Sequence, residues 1–130
     1  MANSTNSAEQ LKDVVLVGSD HGGFELKRKI LDFLELNYIP VEDVGTYFSE
    51  PCDYPDIARL VAEPISTGTH TRGILVCGTG LGISIAANKS PGVQAAVGYN
   101  EIATQMAREH NDAHIICFGE RTMDHDEVLR

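Results

Sequence analysis

A three-layer α/β fold built on a five-stranded parallel sheet is what this 130-residue sequence predicts. Three observations predict it. Short apolar, β-branched runs alternate with longer segments whose apolar residues recur at helical spacing. Polar and glycine-rich clusters follow the apolar runs, as expected where strands end at one edge of a sheet. An apolar fraction of 42% over this length suits one domain with a real core, and no run is long and apolar enough to span a membrane.

The elements follow in order. Residues 1–12 are polar and poor in bulky side chains, a loose tail ahead of a domain at 13–130. Residues 14–17 form the first strand, which ends in Gly18-Ser19-Asp20-His21-Gly22-Gly23. Phe24–Leu36 reads as a helix, with Phe24, Ile30, Leu31 and Leu34 facing inward and Lys27, Arg28 and Lys29 on the solvated side. Residues 41–44 make the second strand, closed by Gly45, and a loop with two prolines over 46–55 leads to a helix at 56–66. The third strand is 74–77 and its helix 83–88; the fourth strand is 93–97 and its helix 101–110; the fifth strand is 115–118. Parallel strands need right-handed helical crossovers, which cover both faces of the sheet. The architecture is therefore Rossmann-like or flavodoxin-like, and ligands are expected at the strand C-termini, where strand order reverses.

Charge and cysteine usage narrow the partners. Nineteen acidic residues against ten basic ones leave a net charge of −9, which argues against nucleic acid and anionic membranes. A phosphate ligand would have to be held by local donors against that field. Cys52, Cys77 and Cys117 show no Cys-x-x-Cys spacing, so a reduced cytoplasmic protein fits better than a disulfide scaffold, and no zinc site is suggested.

Residues 73–89, GILVCGTGLGISIAANK, carry the strongest signal. An apolar run delivers Cys77 to a glycine-rich turn, which opens a helix. A lone cysteine at a strand end is commonly a small core residue. Glycines beside it permit close backbone approach, and amides at a helix start attract anions and favour a thiolate. The Gly78-x-Gly80-x-Gly82 spacing is not the dinucleotide fingerprint, and it lacks the Gly-Lys-Ser/Thr ending of a nucleotide P-loop. Asp20-His21 reads equally as a cap for the first long helix or as a ligand-facing pair. His110-Asn111-Asp112 reads as a helix stop with Asn111 in the left-handed conformation, or as a functional group of residues. His70, His114 and His125 have no neighbours in sequence that suggest metal ligation.

Taken in order, Gly18 to Phe24, Asp53-Tyr54-Pro55, Cys77 to Lys89, His110-Asn111-Asp112 and Phe118-Gly119-Glu120-Arg121 resemble the ribose-5-phosphate isomerase B family, within a wider group that includes galactose-6-phosphate isomerase. The resemblance runs from Val14 to Arg130. It implies an aldose–ketose isomerase of the pentose phosphate pathway that interconverts ribose 5-phosphate and ribulose 5-phosphate through a cis-enediolate, with no metal or organic cofactor. Cys77 then matches the base and Thr79 assists near the reacting oxygens. The amides of Gly78, Gly80, Leu81 and Gly82 face the enediolate, with Ser84 counted among the substrate contacts. His110 matches the group that opens the sugar ring, and Asp20 binds sugar hydroxyls or shares that step. His21 and Arg121 match phosphate contacts, Asn111 a substrate contact, and Tyr54 a pocket wall. The resemblance further implies a homodimer or dimer of dimers with the site at the interface. It also implies a longer C-terminal helix with two more phosphate-binding arginines, of which this chain holds only the start. Two alternatives stay open: a hexose 6-phosphate substrate, such as a galactose or allose phosphate, and an inactive sugar-phosphate-binding or assembly subunit.

Overall fold

Five strands form one parallel sheet: β1 Val15–Ser19, β2 Val41–Asp43, β3 Arg72–Cys77, β4 Ala95–Val97 and β5 Ile115–Gly119. The structure is a computed structural model that describes residues 13–45 and 54–129. The N-terminal tail, the loop at 46–53 and Cys52 lie outside the described residues. Strand order is β2-β1-β3-β5-β4. The flavodoxin order, 2-1-3-4-5, is therefore altered at one end, where β5 enters between β3 and β4. Burial explains the exchange. β5 is an apolar five-residue strand with four buried positions, whereas β4 has three half-buried residues and suits an edge.

Among the described residues five α-helices cover the sheet: α1 Phe24–Leu36, α2 Tyr54–Ser66, α3 Leu81–Ala87, α4 Glu101–Asn111 and α5 His125–Val128. A single 3₁₀ turn, His21–Gly23, precedes α1. On one face Leu16, Leu75, Ile115 and Cys117 pack against Ile57 and Val61 of α2 and Ile83 and Ala87 of α3. On the other face Val17, Val76 and Phe118 meet Leu26 and Ile30 of α1, with Val128 of α5 at the margin. α4 shares this second face, because a Cβ on Gly98 would collide with Thr104 and Phe118. Fully buried side chains such as Leu75, Ile83 and Ile115 each stabilise the fold by about 1.5–3 kcal/mol. Among the described residues no helix is long and apolar enough to cross a membrane.

Element boundaries differ from the sequence reading in instructive places. β1 extends through Gly18 and Ser19, since Ser19 pairs with Val76 and its N–H donates to the Gly45 carbonyl at 2.7 Å. β4 begins two residues late, where the Asn88 side chain grips Ala95 by both its N–H (2.8 Å) and its carbonyl (2.9 Å). The left-handed residue closing α4 is Asp112 (φ 51°), not Asn111, because the helix runs one residue further than its apolar pattern.

Lys27 is a correction. Expected on the solvated side of α1, it is fully buried, with its Nζ 2.8 Å from Asp43 Oδ1 and 5.4 Å from the Phe24 ring centre. At about 100° per residue Lys27 falls between Leu31 and Leu34, within the face that buries Leu26 and Ile30. The parallel register that sets Val17 beside Asp43 supplies the carboxylate that receives it. Asp43→Ala is expected to lower the unfolding free energy by about 3 kcal/mol, the low end for breaking a buried pair. The low end applies because the Asp43 side chain is 32% exposed. A denaturation midpoint unchanged from wild type would refute this.

Candidate active site

Three loops meet at the C-terminal edge of the central strands. The first begins where β3 ends at Cys77, which is 6% exposed. Gly80 carries the turn into α3 at φ +82°, a conformation that disfavours any side chain. A Cβ there would also lie 3.0 Å from the Phe118 carbonyl carbon. In this conformation the Gly80 N–H donates to Cys77 Sγ at 3.1 Å, so the turn aims a fixed donor at the sulfur. Thr79 is exposed, and its hydroxyl oxygen accepts the Leu81 N–H at 3.2 Å. Ser84 is buried and donates its hydroxyl to the Leu81 carbonyl at 2.8 Å. That hydroxyl therefore shapes the start of α3.

The second loop follows β1. Asp20 caps the 3₁₀ turn and not the long helix, its Oδ1 accepting the Gly22 N–H at 2.9 Å. Burial pushes its carboxyl up from the ordinary value of 3.8, and the Gly22 amide, His21, the Gly23 amide and Arg121 offset part of the rise. The folded state thus holds this proton more tightly than the unfolded chain. Asp20's contribution to stability is full below pH 3.8 and falls as pH rises to the folded value, beyond which the penalty stays constant. Asp20→Asn keeps an oxygen for the Gly22 N–H without the buried charge. It is expected to raise the thermal midpoint at neutral pH while lowering turnover, and a midpoint below wild type would contradict this.

The third loop follows β5. The Glu120 N–H donates to the Cys77 carbonyl at 2.9 Å and the Arg121 N–H to the Gly78 carbonyl at 3.0 Å. The Arg121 side chain lies over Gly78, where a Cβ would be 3.5 Å from Cδ and Nη1. Gly22 backs onto the same residue, since its Cβ would sit 3.2 Å from the Gly78 nitrogen. Asp20, Gly22, Gly78 and Arg121 are thereby joined, with exposed His21 in the same 3₁₀ turn. Tyr54, at the start of α2, closes another side with its ring 3.1 Å from where a Gly82 Cβ would be.

His110 and Asn111 stand apart from this group. α4 leaves the site edge after β4 and returns to the opposite edge, its 11 residues spanning about 16 Å. Both residues are exposed, and Asn111 lines a hollow with Gln94, Ala95 and Ala113 at the start of β4. Two larger hollows are a cleft of about 360 Å³ by Tyr99, Asn100 and Phe118 and a groove of about 430 Å³ from Tyr54 and Gly82 to Lys89. Cys77 lines neither. Cys117 is wholly buried on the same face as Cys77, and its thiol is pushed far up by that burial and then by Cys77. It is an inert core thiol.

Two residues acquire partners that sequence reasoning did not find. The Glu120 carboxylate reaches the Leu26 N–H of α1, and His125 bridges the Glu120 carbonyl and Lys29. No local signal announces the contacts to Leu26 and Lys29, because each spans more than ninety residues. His114 Nδ1 likewise accepts the Gln94 N–H. Among the described residues no cluster of three or more His, Cys, Asp or Glu could hold a metal ion.

Fold and site together define an α/β protein that can hold a small anion beside a thiol at the carboxyl edge of a parallel sheet. Comparison with known proteins makes the class specific. The family model described as Ribose/Galactose Isomerase matches residues 15–130, and the chain belongs to that family. Ribose-5-phosphate isomerase B of Escherichia coli is 44% identical over 109 residues, 84% of this chain and 73% of the relative. The solved structure of Clostridium thermocellum ribose-5-phosphate isomerase B is 52% identical, with a TM-score of 0.87, over 89% of this chain and 78% of that one. The Mycoplasma genitalium enzyme, solved with bound ribulose 5-phosphate, is 38% identical with a TM-score of 0.83 over the same shares.

Proposed function

We propose that this protein interconverts ribose 5-phosphate and ribulose 5-phosphate in the cytoplasm, through a cis-enediolate. The observation that carries the reading is the Cys77 sulfur, held by the Gly80 N–H beside the joined Asp20, Gly78 and Arg121 group. The relatives named above and the ribulose 5-phosphate bound by the Mycoplasma genitalium enzyme support the substrate class. The chemistry begins with ring opening, in which His110 transfers a proton at the ring oxygen. The Cys77 thiolate takes the proton from C2, and negative charge moves onto the C1 carbonyl oxygen. Backbone amides of the 78–82 turn and the Thr79 hydroxyl stabilise that oxyanion. The thiol then returns the proton to C1 as the C2 hydroxyl proton passes to the C1 oxygen side, leaving a ketone at C2. His21 and Arg121 hold the phosphate, and Asp20 and Asn111 the sugar hydroxyls.

The length of α4 supports one more element of this reading. His110 and Asn111 reach Cys77 most simply from a second copy, so the working form is a homodimer with two shared sites. The deciding experiment compares kcat/KM on ribose 5-phosphate with that on hexose 6-phosphates. A clear preference for a hexose phosphate would overturn the pentose assignment.

A further inference from the structure

We infer that Glu120 is a positioning residue, one that sets the gap between the two anion-holding loops by tying the Arg121 loop to the start of α1. The inference rests on the reading of His21 and Arg121 as phosphate contacts. One side of the gap is the His21–Gly23 turn that leads into α1, and the other is Arg121 lying over Gly78. α1 has no side-chain cap of its own, because its N-cap residue is Gly23. The Glu120 carboxylate supplies one from across the molecule, with Oε1 accepting the Leu26 N–H at 2.7 Å. A second tie runs through the Glu120 carbonyl, 2.9 Å from His125 Nε2. A carbonyl only accepts, so Nε2 carries the proton, and Nδ1 accepts from Lys29 Nζ of α1 at 2.8 Å. The residue preceding Arg121 is thus held to α1 at both Leu26 and Lys29, while its own N–H is fixed to Cys77. Releasing the carboxylate would let α1 and its leading turn drift from Arg121, loosening an anion grip that depends on both sides at once.

A plain helix cap predicts something different: lost stability with unchanged affinity. Glu120→Ala and Glu120→Gln in the full chain separate the two, with thermal midpoint, kcat and KM for ribose 5-phosphate measured on each. E120A is expected to raise KM about five- to tenfold with kcat within about twofold of wild type. E120Q keeps an oxygen for the Leu26 N–H and is expected to return KM to within about twofold. An unchanged KM in E120A, or a KM in E120Q as high as in E120A, overturns the inference. Should E120A fail to fold, Glu120→Asp carries the test, since it keeps the charge but draws the acceptor back by one bond. A raised KM in E120D supports the positioning role, and a wild-type KM overturns it. If wild type does not turn over ribose 5-phosphate, the substrate reading fails and the Glu120 inference is tested separately. Inorganic phosphate is then titrated while the Gly22 and Gly78 amides are followed by NMR. Weaker binding in E120A than in wild type and E120Q supports the tie, and equal binding in all three overturns it.

Discussion

Cys77→Ala is expected to remove isomerisation almost completely, lowering kcat by about 10³-fold, the middle of the range for losing a positioned base. Phosphate binding should survive, because Arg121 and the His21 turn are held by backbone bonds to Gly78 and Asp20 and not by the sulfur. The fold should survive as well: Cys77 is one small member of a thirteen-residue buried cluster that includes Leu75, Ile83 and Ile115. Steady-state assay and phosphate titration on the same preparation check both halves. Cys77→Ser is the sharper control. It preserves size and the Gly80 contact but offers an alcohol, a far weaker proton acceptor, and should be nearly as inactive. Substantial turnover in either variant would remove Cys77 from the base role.

His110→Ala carries the second large effect. Loss of the ring-opening group should lower turnover of cyclic ribose 5-phosphate by about 10²-fold, with a smaller loss from the open-chain ketose. Equal losses in the two directions would count against ring opening. The position of His110 at the far end of α4 adds a stronger test. Mixing inactive Cys77→Ala and His110→Ala chains and allowing subunits to exchange should restore about a quarter of wild-type activity. Half of the dimers are then mixed, and one site in each mixed dimer is intact. No recovery in a mixture shown to exchange subunits would place both residues in one chain's site.

Much of this arrangement is legible without coordinates. The first long helix is legible from Phe24 to Leu36, and four of the five strands fall on apolar runs, the exception being the Val-Glu-Asp strand β2. These features depend on period and on local turn residues, which a single segment displays. The loop order also follows, because every strand of a parallel sheet ends at the same edge. Asp20, Cys77, Gly78 and Arg121 thus meet there.

What failed shares one physical cause. Lys27 reads as a solvated residue because its pairing with Asp43 needs the β1–β2 register, sixteen residues away. The bridge that His125 makes between Lys29 and the Glu120 carbonyl is not legible, because it joins a helix and a loop that only folding brings together. Glu120 was visible as part of a motif, yet nothing near it in sequence indicates a capping role for a helix ninety-four residues earlier.

The sequence by itself determined the alternation of elements, the thiol at the end of a buried strand and the glycine turn beside it. Each follows from residue types within a few positions of one another. Only the tertiary structure decided that β5 and not β4 lies against β3, that Glu120 joins the Arg121 loop to α1, and that His110 stands at the opposite edge from Cys77. Those outcomes depend on which apolar faces bury most completely and on the register between distant segments, quantities that belong to the whole chain.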